Sequence, residues 1–318
     1  MKKYFYLIHL LFTLSITSIA QTVQTVHPLD TIPFELGTDN RIYVTTYING
    51  NDSTPLRFLV DTGATDIVIN SNSPRSRGIA SFNSSVSNNG ANSVEVIPAT
   101  DYTEKVRIGK QTVSGLKLIS IPYPPEAWDG VIGLSYLKNF DVLIDYKERY
   151  MILYESGNGA EIASRKGKYE VLDFDYRLGV PVIHMNVCIN ETVYPVFVEI
   201  DTGSDRILDL NTPFVANNNL IGSKQPFAIS TISGTTADGG KLLNVFFDYI
   251  KIGNITLPRI PGAFSTVKSG VQASEAMDGV MGNNMLQRFN QVYDFKNSKL
   301  YITINDRLYS PFYDFLIH

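Results

Sequence analysis

Apolar and polar positions alternate along much of the chain. The row YVTTYINGNDSTPLRFLVDTGATDIVIN alternates from Tyr43, breaks at the polar turn Asn49-Gly50-Asn51-Asp52, and resumes in an apolar run that ends on Asp61-Thr62-Gly63. Period-two alternation around Asn, Gly and Asp predicts a β-hairpin feeding a tight turn. The second half repeats the arrangement. VIHMNVCINETVYPVFVEIDTGSDRILDLN alternates, turns at Asn190-Glu191, and ends its second run on Asp201-Thr202-Gly203.

Two further segments recur in the same order. VRIGKQTVSGLKLIS, starting at Val106, matches IKIGNITLPRIPGAF, starting at Ile250. DGVIGLSYLKNFDVLIDYKERYMILY then matches DGVMGNNMLQRFNQVYDFKNSKLYIT without gaps, which aligns Asp129 with Asp278, Gly133 with Gly282, Leu137 with Leu286 and Asp145 with Asp294. This is an internal duplication. Two copies predict a bilobal molecule and not a solenoid, which needs three or more repeats. Each unit reads as short strands with one short helix, 134–140 in the first and 283–289 in the second, where apolar residues recur three and four apart. The polar, glycine-containing stretch 157–168 reads as a linker, leaving lobes at 21–156 and 169–318. The expected class is all-β.

Residues 1–20 stand apart. Lys2 and Lys3 precede a mostly apolar stretch from Tyr4 to Ile16, and Ser18-Ile19-Ala20 offers a cleavage site before Gln21. That is the pattern of a secretory signal peptide, which predicts an exported protein, periplasmic or secreted. The other reading is an N-terminal membrane anchor, for which the apolar stretch is short. Removing it takes two lysines and changes the formal charge of the 318-residue chain from −4 to −6. The stretch between this leader and the first strand is too short for a propeptide of ordinary length.

A 44% hydrophobic content supports a packed core. The absence of a Lys/Arg block argues against a nucleic-acid partner. Cys188 is the only cysteine, so an intrachain disulfide and a Cys-rich metal site are both excluded. His27, His184 and His318 fit no ligand spacing, and no Ser or Cys nucleophile motif is present. No cofactor and no metal are expected. A parallel α/β sheet, the setting of phosphoryl-accepting aspartates, would need long helices alternating with strands, and the chain lacks them.

An aspartate closing an apolar strand is partly buried, and burial raises the cost of its charge. A glycine two residues on leaves room for another backbone, and the threonine between them can both donate and accept a hydrogen bond. If a pseudo-two-fold axis brings the two turns face to face, Asp61 and Asp201 cannot both ionise. One then holds a proton while the other is charged, which is the arrangement for activating a water against an amide carbonyl.

The two Asp-Thr-Gly turns and the later segments Val131-Ile132-Gly133 and Val280-Met281-Gly282 resemble the pepsin/retropepsin superfamily of aspartic proteases. The resemblance spans the core of both lobes, from about Arg41 to Thr303. It implies a bilobal acid-protease fold with the active site between two barrel-like lobes, and an aspartic endopeptidase acting on peptide or protein substrates. Asp61 and Asp201 would be the catalytic dyad, and Thr62 and Thr202 would tie their loops together. Gly63 and Gly203 would admit water and substrate, and Gly133 and Gly282 would sit in ψ-shaped crossings. The Ser204 hydroxyl would donate to its aspartate, and Ala64 at the matching place could not, which predicts a mildly acidic optimum. The family also needs a flap, for which the candidates are 85–93 and 233–241; neither holds the tyrosine that pepsin carries there. The competing reading is a binding module that keeps the fold without the chemistry. A monomer with an intramolecular dyad is expected, against a swapped dimer. Asp66, Asp205, Asp129 and Asp278 read mainly as solvated or turn-capping residues, and Trp128 as core or cleft wall.

Overall fold

The structure is a computed structural model that describes residues 26–90, 94–232 and 240–312. The leader 1–20, residues 91–93 of the first flap candidate, residues 233–239 of the second and the end of the chain lie outside the described residues.

The protein is all-β and bilobal. Strand Ile42–Ile48 pairs antiparallel with Leu56–Val60, and Val180–Ile189 with Thr192–Asp201. The second hairpin closes on a two-residue turn in which Asn190 (φ 51°) and Glu191 (φ 64°) are both left-handed, the geometry that matches the twist of paired strands. In the first lobe Gly130–Ile132 runs parallel to Leu56–Val60 and antiparallel to Ile67–Asn70. In the second, Gly279–Gly282 runs parallel to Thr192–Asp201 and antiparallel to Leu208–Leu210. A strand thus threads between the two arms of each Asp-Thr-Gly turn.

The lobes meet in a shared antiparallel run ordered Asp30–Pro33, Tyr150–Glu155, Phe140–Asp145, Phe289–Asp294, Lys299–Ile304, Glu170–Arg177. At its centre Leu143 lies opposite Val292, its own counterpart in the repeat. The pseudo-two-fold axis therefore passes between these two residues, and the same axis governs the active-site turns.

The helices at Leu134–Leu137 and Asn283–Leu286 are one turn long and shorter than the sequence predicts. Phe140 and Phe289, whose spacing suggested helix, instead open the central strands and are buried there. Two further helices form. Thr212–Asn217 carries a proline in its first turn. Gly159–Lys166 occupies most of the expected linker. Its apolar residues Ile162 and Ala163 pack on Leu143, Val292 and Tyr301 of the central sheet, and the Asp141 carboxylate accepts from the N–H groups of Gly157 and Asn158 at its entry. Among the described residues no helix is long and apolar enough to cross a membrane.

Candidate active site

The two Asp-Thr-Gly turns come together at the lobe junction. The Thr62 hydroxyl donates to the Ile200 carbonyl (2.6 Å) and accepts from the Thr202 N–H (3.1 Å). The Thr202 hydroxyl donates to the Val60 carbonyl (2.9 Å) and accepts from the Thr62 N–H (3.0 Å). Each threonine uses one donor and one acceptor function, and all four bonds cross between lobes. Thr62 is 1% exposed and Thr202 fully buried, so the groups they satisfy have no access to water.

These ties bring Asp61 and Asp201 together, each carboxyl lying against the glycine of the other's turn. Asp61 Oδ1 accepts from the Gly63 N–H (2.7 Å), and Asp201 Oδ1 from the N–H groups of Gly203 (2.8 Å) and Ser204 (3.0 Å). Each glycine sits against the aspartate of the other lobe. A Cβ on Gly203 would lie 2.3 Å from Asp61 Cγ, and one on Gly63 would lie 2.8 Å from Asp201 Cγ. Gly133 and Gly282 are equally constrained, since a side chain would strike the carbonyls of Asp66 and Ala64 in one lobe and of Arg206 in the other.

The Ser204 hydroxyl does not play the part the sequence suggested. It accepts from the Arg206 N–H (3.2 Å) and does not donate to Asp201; the turn's backbone N–H takes that place. The resulting electrostatics also differ. Burial pushes the Asp61 carboxyl above its ordinary range, opposed by the neighbouring Asp201 carboxyl, the surrounding N–H groups and the charge of Arg41. Asp201 is pushed further up by burial, then by the negative charges of Asp61 and Glu199. Asp201 is therefore the better holder of a shared proton.

Asp129 and Asp278 shape the lobes and not the reaction centre. Each carboxylate accepts from the backbone of the strand leading to its turn, Asp129 from the Arg57 N–H (2.7 Å) and Asp278 from the Phe197 N–H (2.8 Å). Asp66 accepts only from the neighbouring Thr65 hydroxyl (3.3 Å). Asp205 forms an ion pair with Arg41 (3.6 Å). Of the flap candidates, the first belongs to a hairpin of Ser84–Asn89 with Val94–Ala99. The Gly90 carbonyl near its tip accepts from the Val271 N–H of the other lobe (3.0 Å), so this hairpin bridges the cleft. The second lies on the hairpin of Ala228–Ile232 with Gly240–Ile252, with 233–239 outside the described residues.

A family model described as "gag-polyprotein putative aspartyl protease" matches residues 44–139, the core of the first lobe. Among solved structures, the chain is similar to an aspartic proteinase from Irpex lacteus, at a TM-score of 0.56 and 14% identity, covering 88% of this chain and 98% of that one. The comparison with curated proteins finds no match. The chain therefore shares the fold of that aspartic proteinase, and its first lobe carries the match to the aspartyl protease family model.

Three residues of this aspartic-protease site were not singled out from sequence. Arg41 reaches across the junction, its Nε donating to the Gly203 carbonyl (2.7 Å) while its guanidinium pairs with Asp39 and Asp205 and lies 5.5 Å from the Trp128 ring centroid. The Tyr123 ring packs tilted against Trp128, centroids 5.1 Å apart, and its phenol is pushed up by burial and by the charges of Asp61 and Asp201. Glu199, two residues before Asp201, is buried against the same turn. Nothing local marks Arg41 or Tyr123. Glu199 does leave a signal, an acid inside the apolar run VFVEI.

Proposed function

We propose that the protein is an aspartic endopeptidase that hydrolyses peptide bonds through Asp61 and Asp201. The observation that carries this reading is the convergence of two half-buried carboxyls from separate lobes, each pressed against the glycine of the other's Asp-Thr-Gly turn. Asp61, favoured as the charged partner by Arg41, takes a proton from a water bound between the pair. The water oxygen bonds to the substrate carbonyl carbon as Asp201 gives its proton to the carbonyl oxygen. The tetrahedral diol then collapses. Its C–N bond breaks, the departing nitrogen takes the proton held by Asp61, and a diol hydroxyl returns its proton to Asp201. This is general acid–base catalysis without a covalent intermediate. The hairpin at 84–99 would exclude bulk water from the step.

The raised carboxyls keep the shared proton into the mildly acidic range, where the reading places the optimum. A profile peaking near pH 2 to 3 would contradict it. The deciding test digests a mixed peptide library between about pH 3 and 7 with wild type and Asp61→Asn. Cleavage by wild type alone is expected. A wild type that cuts nothing, or a variant that cuts equally well, overturns the assignment; binding of peptides without cleavage would instead support the non-catalytic module. As part of the same proposal, the sequence leader supports export, and a dyad drawn from the two lobes of one chain supports a monomer.

A further inference from the structure

Glu199 is 4% exposed, and its Oε2 is buried with no hydrogen-bond partner among the described residues. An unpaired carboxyl in such a place is costly to maintain and calls for an explanation.

Its position supplies one. Glu199 and Asp201 stand two apart on strand Thr192–Asp201, so their side chains leave the same face. Glu199 Oε1 and Asp201 Cγ each lie 2.8 Å from the point that a Cβ on Gly63 would occupy. The two groups are therefore within about 5.6 Å of one another, twice that separation, beside the same glycine. On the hydrolytic reading, a peptide held over the dyad runs past Gly63, which brings a side chain flanking its scissile bond within reach of Glu199.

Among the described residues no ion pair or hydrogen bond joins a cation to this carboxyl. Arg41 is committed to the Gly203 carbonyl, Asp39 and Asp205. Arg177 lies over the Phe197 ring at 3.8 Å and donates to the Ala276 carbonyl. The counterpart of Glu199 in the first lobe is Leu59, also two residues before its aspartate, and Leu59 sits in an apolar cluster with Tyr43, Ile97 and Ile119. The two flanks of the dyad thus differ in chemistry, one hydrocarbon and one acid.

We infer that Glu199 determines specificity, accepting the Lys or Arg side chain of the residue on one side of the cleaved bond, while the Leu59 side takes an apolar residue on the other. The inference rests on the hydrolytic reading above for its substrate class. Burial and the charge of Asp61 push the Glu199 carboxyl up to about 8, so it is held neutral while unpaired. An arriving cation would ionise it and form an ion pair secluded from water.

The test compares wild type, Glu199→Gln and Glu199→Leu. Glutamine keeps the shape and removes the charge, and leucine already stands at the matching place in the first lobe. The termini of products from a mixed peptide library are read by mass spectrometry. Hydroxyethylene peptides that differ only in Lys or norleucine, on either side of the isostere, are titrated in parallel. Wild type should prefer Lys or Arg on one constant side by about tenfold or more, and both variants should lose that preference, as expected when one partner of a buried charge pair is removed. Cleavage without a basic preference, or a preference that survives in Glu199→Gln, overturns the inference and leaves the protease reading standing. Selective binding of the Lys isostere by a wild type that cuts nothing supports the inference and removes the hydrolytic reading. A wild type that neither cuts nor discriminates between the isosteres overturns both.

Discussion

Replacing Thr62 by valine keeps the shape of the side chain and removes its hydroxyl. The Ile200 carbonyl then loses its donor from Thr62, and the Thr202 N–H its acceptor, both in a site closed to water. Each buried polar group left unsatisfied costs about 1–3 kcal/mol, so the substitution should destabilise by roughly 2–6 kcal/mol. At roughly 2–4 °C per kcal/mol for a large domain, the calorimetric transition should fall by roughly 4–24 °C. Thr202→Val should cost about as much, because its two bonds are the pseudo-symmetric copies. Thr62→Ser is the control. It retains the hydroxyl and should recover most of the loss. The lost bonds all join one lobe to the other, so Thr62→Val should also slow any hydrolysis by loosening the approach of the two carboxyls. A Thr62→Val transition within a degree of wild type, or a serine variant as unstable as the valine one, would refute the claim that these hydroxyls hold the lobes together.

Gly203→Ala should abolish activity while the protein still folds, since the new methyl carbon would sit 2.3 Å from Asp61 Cγ; peptide cleavage together with circular dichroism checks both halves of the claim. Arg41→Met removes a positive charge that favours ionised Asp61, so the acid limb of the pH–rate profile should move to higher pH; an unmoved limb would show that Arg41 acts only as a strut. Glu199 is raised from its ordinary 4.5 to about 8 in the folded protein, so its contribution to stability is complete below about 4.5 and is lost as pH rises towards 8. Denaturant titrations should therefore find lower stability at about pH 7.5 than at about pH 5, with this group contributing at most about 1.4 kcal/mol per pH unit, and a flatter dependence in Glu199→Gln. Asp61 and Asp201 act in the same direction, so the variant should retain part of the slope.

The duplication was readable because the repeats keep register, and register alone puts Leu143 opposite Val292. The hairpins were readable because Asn190 and its neighbours carry turn chemistry that needs no tertiary context. What the sequence hid depends on contacts between halves. Segment 159–166 reads as a linker because its composition is polar, yet Ile162 and Ala163 find a helix-stabilising surface once the two central strands have paired. The Ser204 hydroxyl had two available partners, and only the folded turn decides for the Arg206 N–H over Asp201. Arg41 sits far from the second Asp-Thr-Gly turn in sequence, and nothing in its own strand announces that it will bind the Gly203 carbonyl.

A duplicated site has a chemical problem, because two equivalent carboxyls in equivalent surroundings have no reason to take different roles. Here the surroundings differ at matched places. Tyr43 lies across from Leu59 and Val182 across from Glu199, so the strand position matching Arg41 in the second lobe is Val180. One lobe supplies a cation where the other has an aliphatic residue, and at Glu199 and Leu59 the second lobe supplies an acid where the first has hydrocarbon. Both differences act in one direction. The cation lowers the cost of charge on Asp61, and Glu199, neutral while unpaired, raises that cost on Asp201 once it ionises. The threonine ties preserve the symmetry that brings the carboxyls together. The unmatched arginine breaks it, and that broken symmetry gives the proposed mechanism a base on one side and an acid on the other.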